Sequence, residues 1–230
     1  MRLFTYVAPE NLEEALRILA QTDGQVSALV GGTDLIDQVK QNRRTPSVIM
    51  DVKRITEMMR LEYIPTEGLH IGGAVPCTDT AALPQVQELY SAIEESCLLI
   101  GSVQIQNRAS IGGNICNAAP SADTIPPLMV YSAKEAIVGP GGRREVPVRD
   151  FFVADGIVNS RRAPDEILTE VRIPLASGER KQAYAKLRYR KSIDFPLLTV
   201  AVAADLEGDG TVRSIEGVVT ALGSRPRVLS

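Results

Sequence analysis

The chain has 230 residues, 44% of them hydrophobic and 23% charged, with a formal net charge of -3 at pH 7. That is enough apolar material for a substantial core and roughly two or three subdomains, and the mild acidity excludes nucleic-acid binding by charge. No apolar run reaches membrane-spanning length and no signal-peptide core precedes the first acidic helix, so the cytoplasm is the expected compartment.

Leu12, Ala15, Leu16 and Leu19 recur at helical spacing behind Pro9, which predicts an amphipathic helix over 11–20. The apolar run 26–30 reads as a strand that enters Gly31-Gly32-Thr33-Asp34. A helical pattern over 35–41 and a strand at 48–52 complete a strand-helix-strand unit with parallel pairing. Asp34 is expected to cap its helix, because a carboxylate there competes with a bound anion for the positive end of the helix dipole. Residues 53–62 lead onward to a short strand at 68–71. Thr78 or Asp79 then caps helical segments over 80–83 and 86–100, the second ending at Gly101.

Residues 109–123 read A-S-I-G-G-N-I-C-N-A-A-P-S-A-D. A Gly pair flanked by the Ser110 hydroxyl and the Asn114 amide gives a loop that can press against a ligand and present N–H donors, which is anion-binding chemistry. Gly31-Gly32 has the same character, and the two segments together point to a diphosphate held from both sides. Each alone reads more readily as a tight turn, and neither carries the P-loop Lys or a G-x-G-x-x-G pattern.

Pro126-Pro127 opens a helix over 126–132. Alternating runs at 136–138, 144–148 and 167–173 predict antiparallel strands, the first two joined through Gly139-Pro140-Gly141-Gly142. Three further strands follow at 184–190, 199–206 and 212–222, with Gly208-Asp209-Gly210 as a hairpin turn. Cys77, Cys97 and Cys116 are widely spaced and read as free buried thiols; His70, the single histidine, reads as structural. No metal site and no catalytic constellation can be assembled from them.

The segments L-V-G-G-T-D-L, Q-I-Q-N-R-A with S-I-G-G-N-I-C-N-A-A-P-S-A-D, and P-D-E-I-L-T-E-V-R-I-P resemble the FAD-binding subunits of molybdenum hydroxylases, a family that includes the flavin subunits or domains of xanthine dehydrogenase, aerobic carbon monoxide dehydrogenase and nicotinate dehydrogenase-like enzymes. The likeness spans 6–223. It implies an α+β, two-subdomain FAD-binding fold with boundaries at 1–55 and 56–177, then a partial C-terminal domain at 178–230, a three-stranded antiparallel sheet without its usual helices. One face of that sheet is expected to be sticky or partner-bound. FAD is implied in this chain, with molybdopterin and iron-sulfur clusters confined to a large and a small partner subunit. Electrons are expected to pass from the clusters through FAD to NAD or another acceptor. Because the cofactor carries the redox work, few catalytic side chains are needed.

The resemblance assigns Leu29, Val30, Gly31, Gly32, Thr33, Asp34 and Leu35 to a first pyrophosphate loop and Ser110, Ile111, Gly112, Gly113 and Asn114 to a second. It places Gly101 on the adenine side and Asp123 near the adenosine ribose, a cap for the helix at 126 being the equal alternative. Leu168 and Lys186 fall near the isoalloxazine ring; Lys186 reads otherwise as a solvated lysine in a basic strand with Arg188, Arg190 and Lys191, a possible docking patch for NAD phosphates or a partner. Two other readings stay open. One is a diphosphate or sugar-nucleotide enzyme with Asp34 and Asp123 as its metal-binding acids, and the other is a non-redox assembly scaffold.

Overall fold

In the computed structural model, which describes residues 2–22, 25–154, 158–175 and 180–229, the chain opens with β1 (Thr5–Val7) and α1 (Leu12–Gln21). Asn11 starts the helix by accepting the Glu14 N–H at 2.9 Å, and the acidic Glu13 and Glu14 sit at its positive end. Its apolar stripe buries Ala15 and Leu19. After β2 (Val26–Leu29), α2 (Leu35–Lys40) and β3 (Val48–Asp51), the strands form a wholly parallel sheet in the order β1-β3-β2. The pairing of β2 with β3 is the one expected. β1 is too short to carry a readable alternation, and it was not anticipated.

A 3-10 turn, Thr56–Met59, leads to β4 (Leu61–Ile64) and β5 (Gly68–Gly72), and then to the short helices α3 (Cys77–Ala82), α4 (Pro84–Leu89) and α5 (Ser91–Leu98). The single helix expected over 86–100 is broken at Tyr90 (φ -132°, ψ 48°). Tertiary contacts win there: the fully buried Tyr90 donates its hydroxyl to the Pro174 carbonyl at 3.0 Å and packs on Tyr131 with ring centroids 5.3 Å apart.

α6 (Val103–Gln106) and α7 (Ile111–Asn117) follow, so the expected second loop is in fact a helix with both glycines in its first turn. The Ser110 hydroxyl accepts the Gly113 N–H at 2.9 Å and donates to the Gly73 carbonyl at 2.8 Å; Ala118, left-handed at φ 49°, ends the helix. The poor helix propensity of glycine is overridden by this cap and by close packing.

α8 (Ile125–Val130), β6 (Lys134–Gly139), β7 (Gly142–Pro147), α9 (Val148–Phe151) and β8 (Ile167–Pro174) complete the second unit. Its sheet is antiparallel throughout, in the order β4-β5-β8-β6-β7. His70 on β5 is buried, its Nδ1 2.9 Å from Glu170 on β8 and its Nε2 3.2 Å from Glu67, while Glu170 also binds Arg143 and Arg172. The histidine therefore stitches two strands together.

The last sheet holds β9 (Arg180–Leu187), β10 (Leu198–Leu206), β11 (Val212–Thr220) and β12 (Arg227–Leu229), in the order β12-β11-β10-β9. It has a fourth strand beyond the three expected; β12 is exposed along its length and so lacks an apolar pattern. Tyr184, Ala201, Ala203 and Val218 of this sheet belong to the same buried cluster as Ile71, Ile93, Ile115 and Val171. The expected boundary between 177 and 178 lies outside the described residues, and the core runs continuously across it. Ile215, Val212 and Leu187 remain exposed on this sheet. Among the described residues no helix is long and apolar enough to cross a membrane.

Candidate functional site

A cleft of about 520 Å³ opens between the first unit and the second, bounded by the end of β2 and the start of α2 on one side and by α7 and the start of β8 on the other. Residues 30–35 line it, as do Ser110, Gly112, Gly113, Asn114 and Leu168. Of the other expected residues, Ile111 is fully buried in the main core. Leu29 packs beneath the first segment against the small cluster of Leu35, Val39 and Ile49.

The four glycines are not equivalent. A Cβ on Gly31 would stand 1.9 Å from the Arg108 carbonyl, and one on Gly112 would stand 2.4 Å from the Gly73 carbonyl, so both allow backbone to pack on backbone. Gly32 adopts φ +74°, a left-handed conformation that glycine tolerates best. At Gly113 a Cβ would meet only its own capping atom, Ser110 Oγ, at 3.0 Å. Protein packing thus leaves room there, and the missing side chain opens a cradle toward the cleft. The Gly113 N–H is held by the Ser110 hydroxyl and the Ile36 N–H by the Gly32 carbonyl, so a ligand lying in this cradle would draw only on the remaining N–H groups of the two turns.

Asp34 does not cap α2. Its backbone is already helical (φ -97°, ψ -45°), whereas a cap needs an extended residue, and its side chain makes no capping bond. Burial raises its pKa, opposed by hydrogen bonds from Thr33 and Asn117. Glu166, on the opposite wall, is held below the ordinary carboxylate range by Arg144, which grips it through two bonds of 2.8 Å. Cys116, one turn along α7 from Gly113, has its thiol pushed up to about 11 by burial.

Asp123 and Lys186 do not line this cleft; they pair with each other. Lys186 Nζ lies 2.9 Å from the Asp123 carboxylate and donates to the Leu99 carbonyl at 3.0 Å, and the Tyr184 hydroxyl donates to Asp123 at 2.7 Å. The Lys186 side chain is 1% exposed, which rules out a solvated lysine. The Asp123 carboxylate is taken up by these partners and the cap of α8 is Thr124, which rules out the capping role. Burial raises the Asp123 pKa while Lys186 opposes the shift. Gly101, left-handed at φ +47°, is two residues beyond Leu99 and accepts the Ile193 N–H at 2.7 Å, so Gly101, Asp123 and Lys186 share one neighbourhood. Asp34 and Asp123 therefore form no acidic pair, and among the described residues no group of three or more His, Cys, Asp or Glu is placed to hold a metal.

Sequence reasoning missed Ser27, Arg44, Met58, Gly73, Cys116, Asn117 and Arg162, all of which line the cleft. Reading 111–117 as a helix recovers Cys116 and Asn117, which follow Gly113 at helical spacing. Arg44 and Arg162 carry no local signal, because chain segments far apart in sequence bring them together.

Residues 2–176 match the model of a protein family described as FAD binding domain in molybdopterin dehydrogenase. The chain is 32% identical over 224 residues to the nicotinate dehydrogenase FAD-subunit of Eubacterium barkeri, covering 94% of this chain and 74% of that one. It is 32% identical over 219 residues to the carbon monoxide dehydrogenase medium chain of Hydrogenophaga pseudoflava, with coverage of 94% and 74%. A solved carbon monoxide dehydrogenase from the same organism superposes with a TM-score of 0.92 at 28% identity, covering 99% of this chain and 77% of that chain.

Proposed function

The chain belongs to the family of FAD-binding domains of molybdopterin dehydrogenases, and from that premise we propose that its cleft holds FAD by the diphosphate, between residues 30–35 and the first turn of α7. The observation that carries this reading is the Gly113 cradle, a cleft-facing position where protein atoms leave space for the missing side chain. Bound FAD supplies two-electron chemistry that can also proceed one electron at a time. Ser110 fixes the first turn of α7 in place by bonding Gly73 and Gly113 together. Leu29 and Ile111 would act from beneath, holding the two segments in position.

Leu168 would supply an apolar wall to the cofactor. Gly101, Asp123 and Lys186, which meet one another outside the cleft lining, would support a single end of it from behind, so the adenosine-side roles of Gly101 and Asp123 and the isoalloxazine-side role of Lys186 cannot all hold for an extended cofactor. In this reading the chain is the flavoprotein subunit of an oxidoreductase whose molybdenum and iron-sulfur centres sit in partner subunits. It relays electrons from those clusters to NAD or another acceptor.

Purified protein should show a flavin absorption band near about 450 nm and release FAD on acid precipitation. A chain that is colourless and takes up no added FAD sinks the proposal. NADH-dependent dye reduction by the isolated flavoprotein, with substrate hydroxylation only after the other two subunits are added, tests the relay; hydroxylation by this chain alone would refute it.

A further inference from the structure

Arg44 and Arg162 enter the cleft from its two sides, Arg44 from the connection between α2 and β3 in the first unit and Arg162 from the connection between α9 and β8 in the second. Partial desolvation lowers the pKa of Arg44 and the nearby charge of Arg162 lowers it further, and the Cys116 thiol senses both arginines. Among the described residues neither guanidinium is paired with a carboxylate. Arg162 spends Nη1 on the Ala163 and Glu166 carbonyls, at 3.0 and 2.7 Å, and its buried Nε has no acceptor. Of the carboxylates in the same lining, Glu166 is gripped by Arg144 and also feels the charge of Arg162 without a direct ion pair to it, and Asp34 is held by Thr33 and Asn117.

Two like charges facing each other across the cleft, one on the exposed Arg44 and one on the half-buried Arg162, repel, and an anion between them turns that repulsion into two charge-assisted contacts. Guanidinium groups match phosphate oxygens in geometry as well as charge. Cys116, beside the pair, is separated from Gly113 by one helical turn, about 5 Å of rise, so a phosphate group lying on Gly113 would come within reach of both arginines. We propose that Arg44 and Arg162 form a clamp, one arm from each unit, that takes the diphosphate of the bound dinucleotide and closes the units upon it. This rests on the FAD reading above and adds a selectivity: flavins without a diphosphate should not engage the clamp.

The test titrates FAD, riboflavin and inorganic pyrophosphate into the flavin-stripped full chain and into R44Q, R162Q and the double variant, with melting temperature in the absence of ligand as the folding control. FAD dissociation constants should rise roughly tenfold or more in each single variant, riboflavin affinity should be unchanged, and pyrophosphate should raise the melting temperature of the unmodified chain but not of the double variant. R44K and R162K, which keep charge and lose the fork, should fall between, and they serve if a Gln variant does not fold. FAD binding that is equally tight in the unmodified chain and all variants overturns the clamp while leaving the FAD reading intact. A chain that responds to pyrophosphate through these arginines yet never binds FAD overturns the FAD reading and supports the diphosphate site. No response to either ligand overturns both.

Discussion

The Cα of Gly31 is turned against the carbonyl of Arg108, so closely that a Cβ there would stand 1.9 Å from that oxygen. The turn after β2 is thereby seated on the lead-in to α7, and the spacing across the cleft depends on backbone contact. Gly31→Ala forces two backbones apart with no flexible side chain to absorb the shift. We expect a loss of a few kcal/mol or more, read as a lower melting temperature, with FAD retention lost alongside. An unchanged melting temperature would mean that this contact does not set the cleft.

Gly113 gives the opposite expectation. Its added side chain meets the capping Ser110 Oγ and otherwise enters the cleft, so Gly113→Val should cost stability only on the scale of a helix cap, about 1 kcal/mol. FAD retention should nevertheless be abolished, because the side chain fills the cradle. The ratio of flavin to protein absorbance, measured beside the melting temperature, separates the two glycines. Stoichiometric FAD in Gly113→Val would make the first turn of α7 a structural feature only.

Much of this fold is legible in the sequence because its signals are local. The amphipathic period behind Asn11, the Gly139–Gly142 hairpin and the alternation in β10 each lie within a few residues. Both Gly-Gly segments are visible for the same reason. The helical state of 111–117 is hidden because glycine disfavours helix, and only the Gly112 contact with Gly73 and the Ser110 cap overcome it. Lys186 reads as a surface lysine in a basic strand until Asp123, distant in sequence, is brought to 2.9 Å. The Arg44 and Arg162 pair is illegible for that reason too: proximity made by tertiary folding leaves no pattern in either segment.

The Lys186 and Asp123 pair supports a second kind of test. With the ammonium removed in Lys186→Met, the Asp123 carboxylate is left buried with the Tyr184 hydroxyl as its remaining side-chain donor, at a cost of about 3–5 kcal/mol. Burial already raises the Asp123 pKa and Lys186 is the largest opposing influence, so the variant should raise it further. A carboxyl whose folded pKa is raised is best tolerated when protonated. The Lys186→Met defect should therefore shrink as pH falls through that folded value. Adding Asp123→Asn should recover a large part of the lost stability, because no charge is then left behind. Additive single-variant losses, independent of pH, would show that the pair is not coupled in the folded chain.

Glu135 on β6 is fully buried, and neither carboxyl oxygen has a hydrogen-bond partner among the described residues. Val146 on β7 and Val171 on β8 lie directly across from it, the Cys116 thiol on α7 feels its charge, and Arg144, the cation whose charge opposes the shift, is committed to Glu166. Burial consequently pushes its pKa from 4.5 up to about 8. The sign follows from the proton count: above pH 4.5 the unfolded chain releases this proton while the folded chain keeps it until about pH 8. Stability is thus greatest below the unfolded value and declines as pH rises toward 8, by an amount on the order of 5 kcal/mol at full ionisation. Glu135→Gln cannot titrate, so it should remove that decline, leaving the variant close to the parent near pH 5 and clearly more stable at pH 9. Chemical denaturation at several pH values reads the difference directly, and parallel pH profiles for the two proteins would show that Glu135 is ionised and paired in solution.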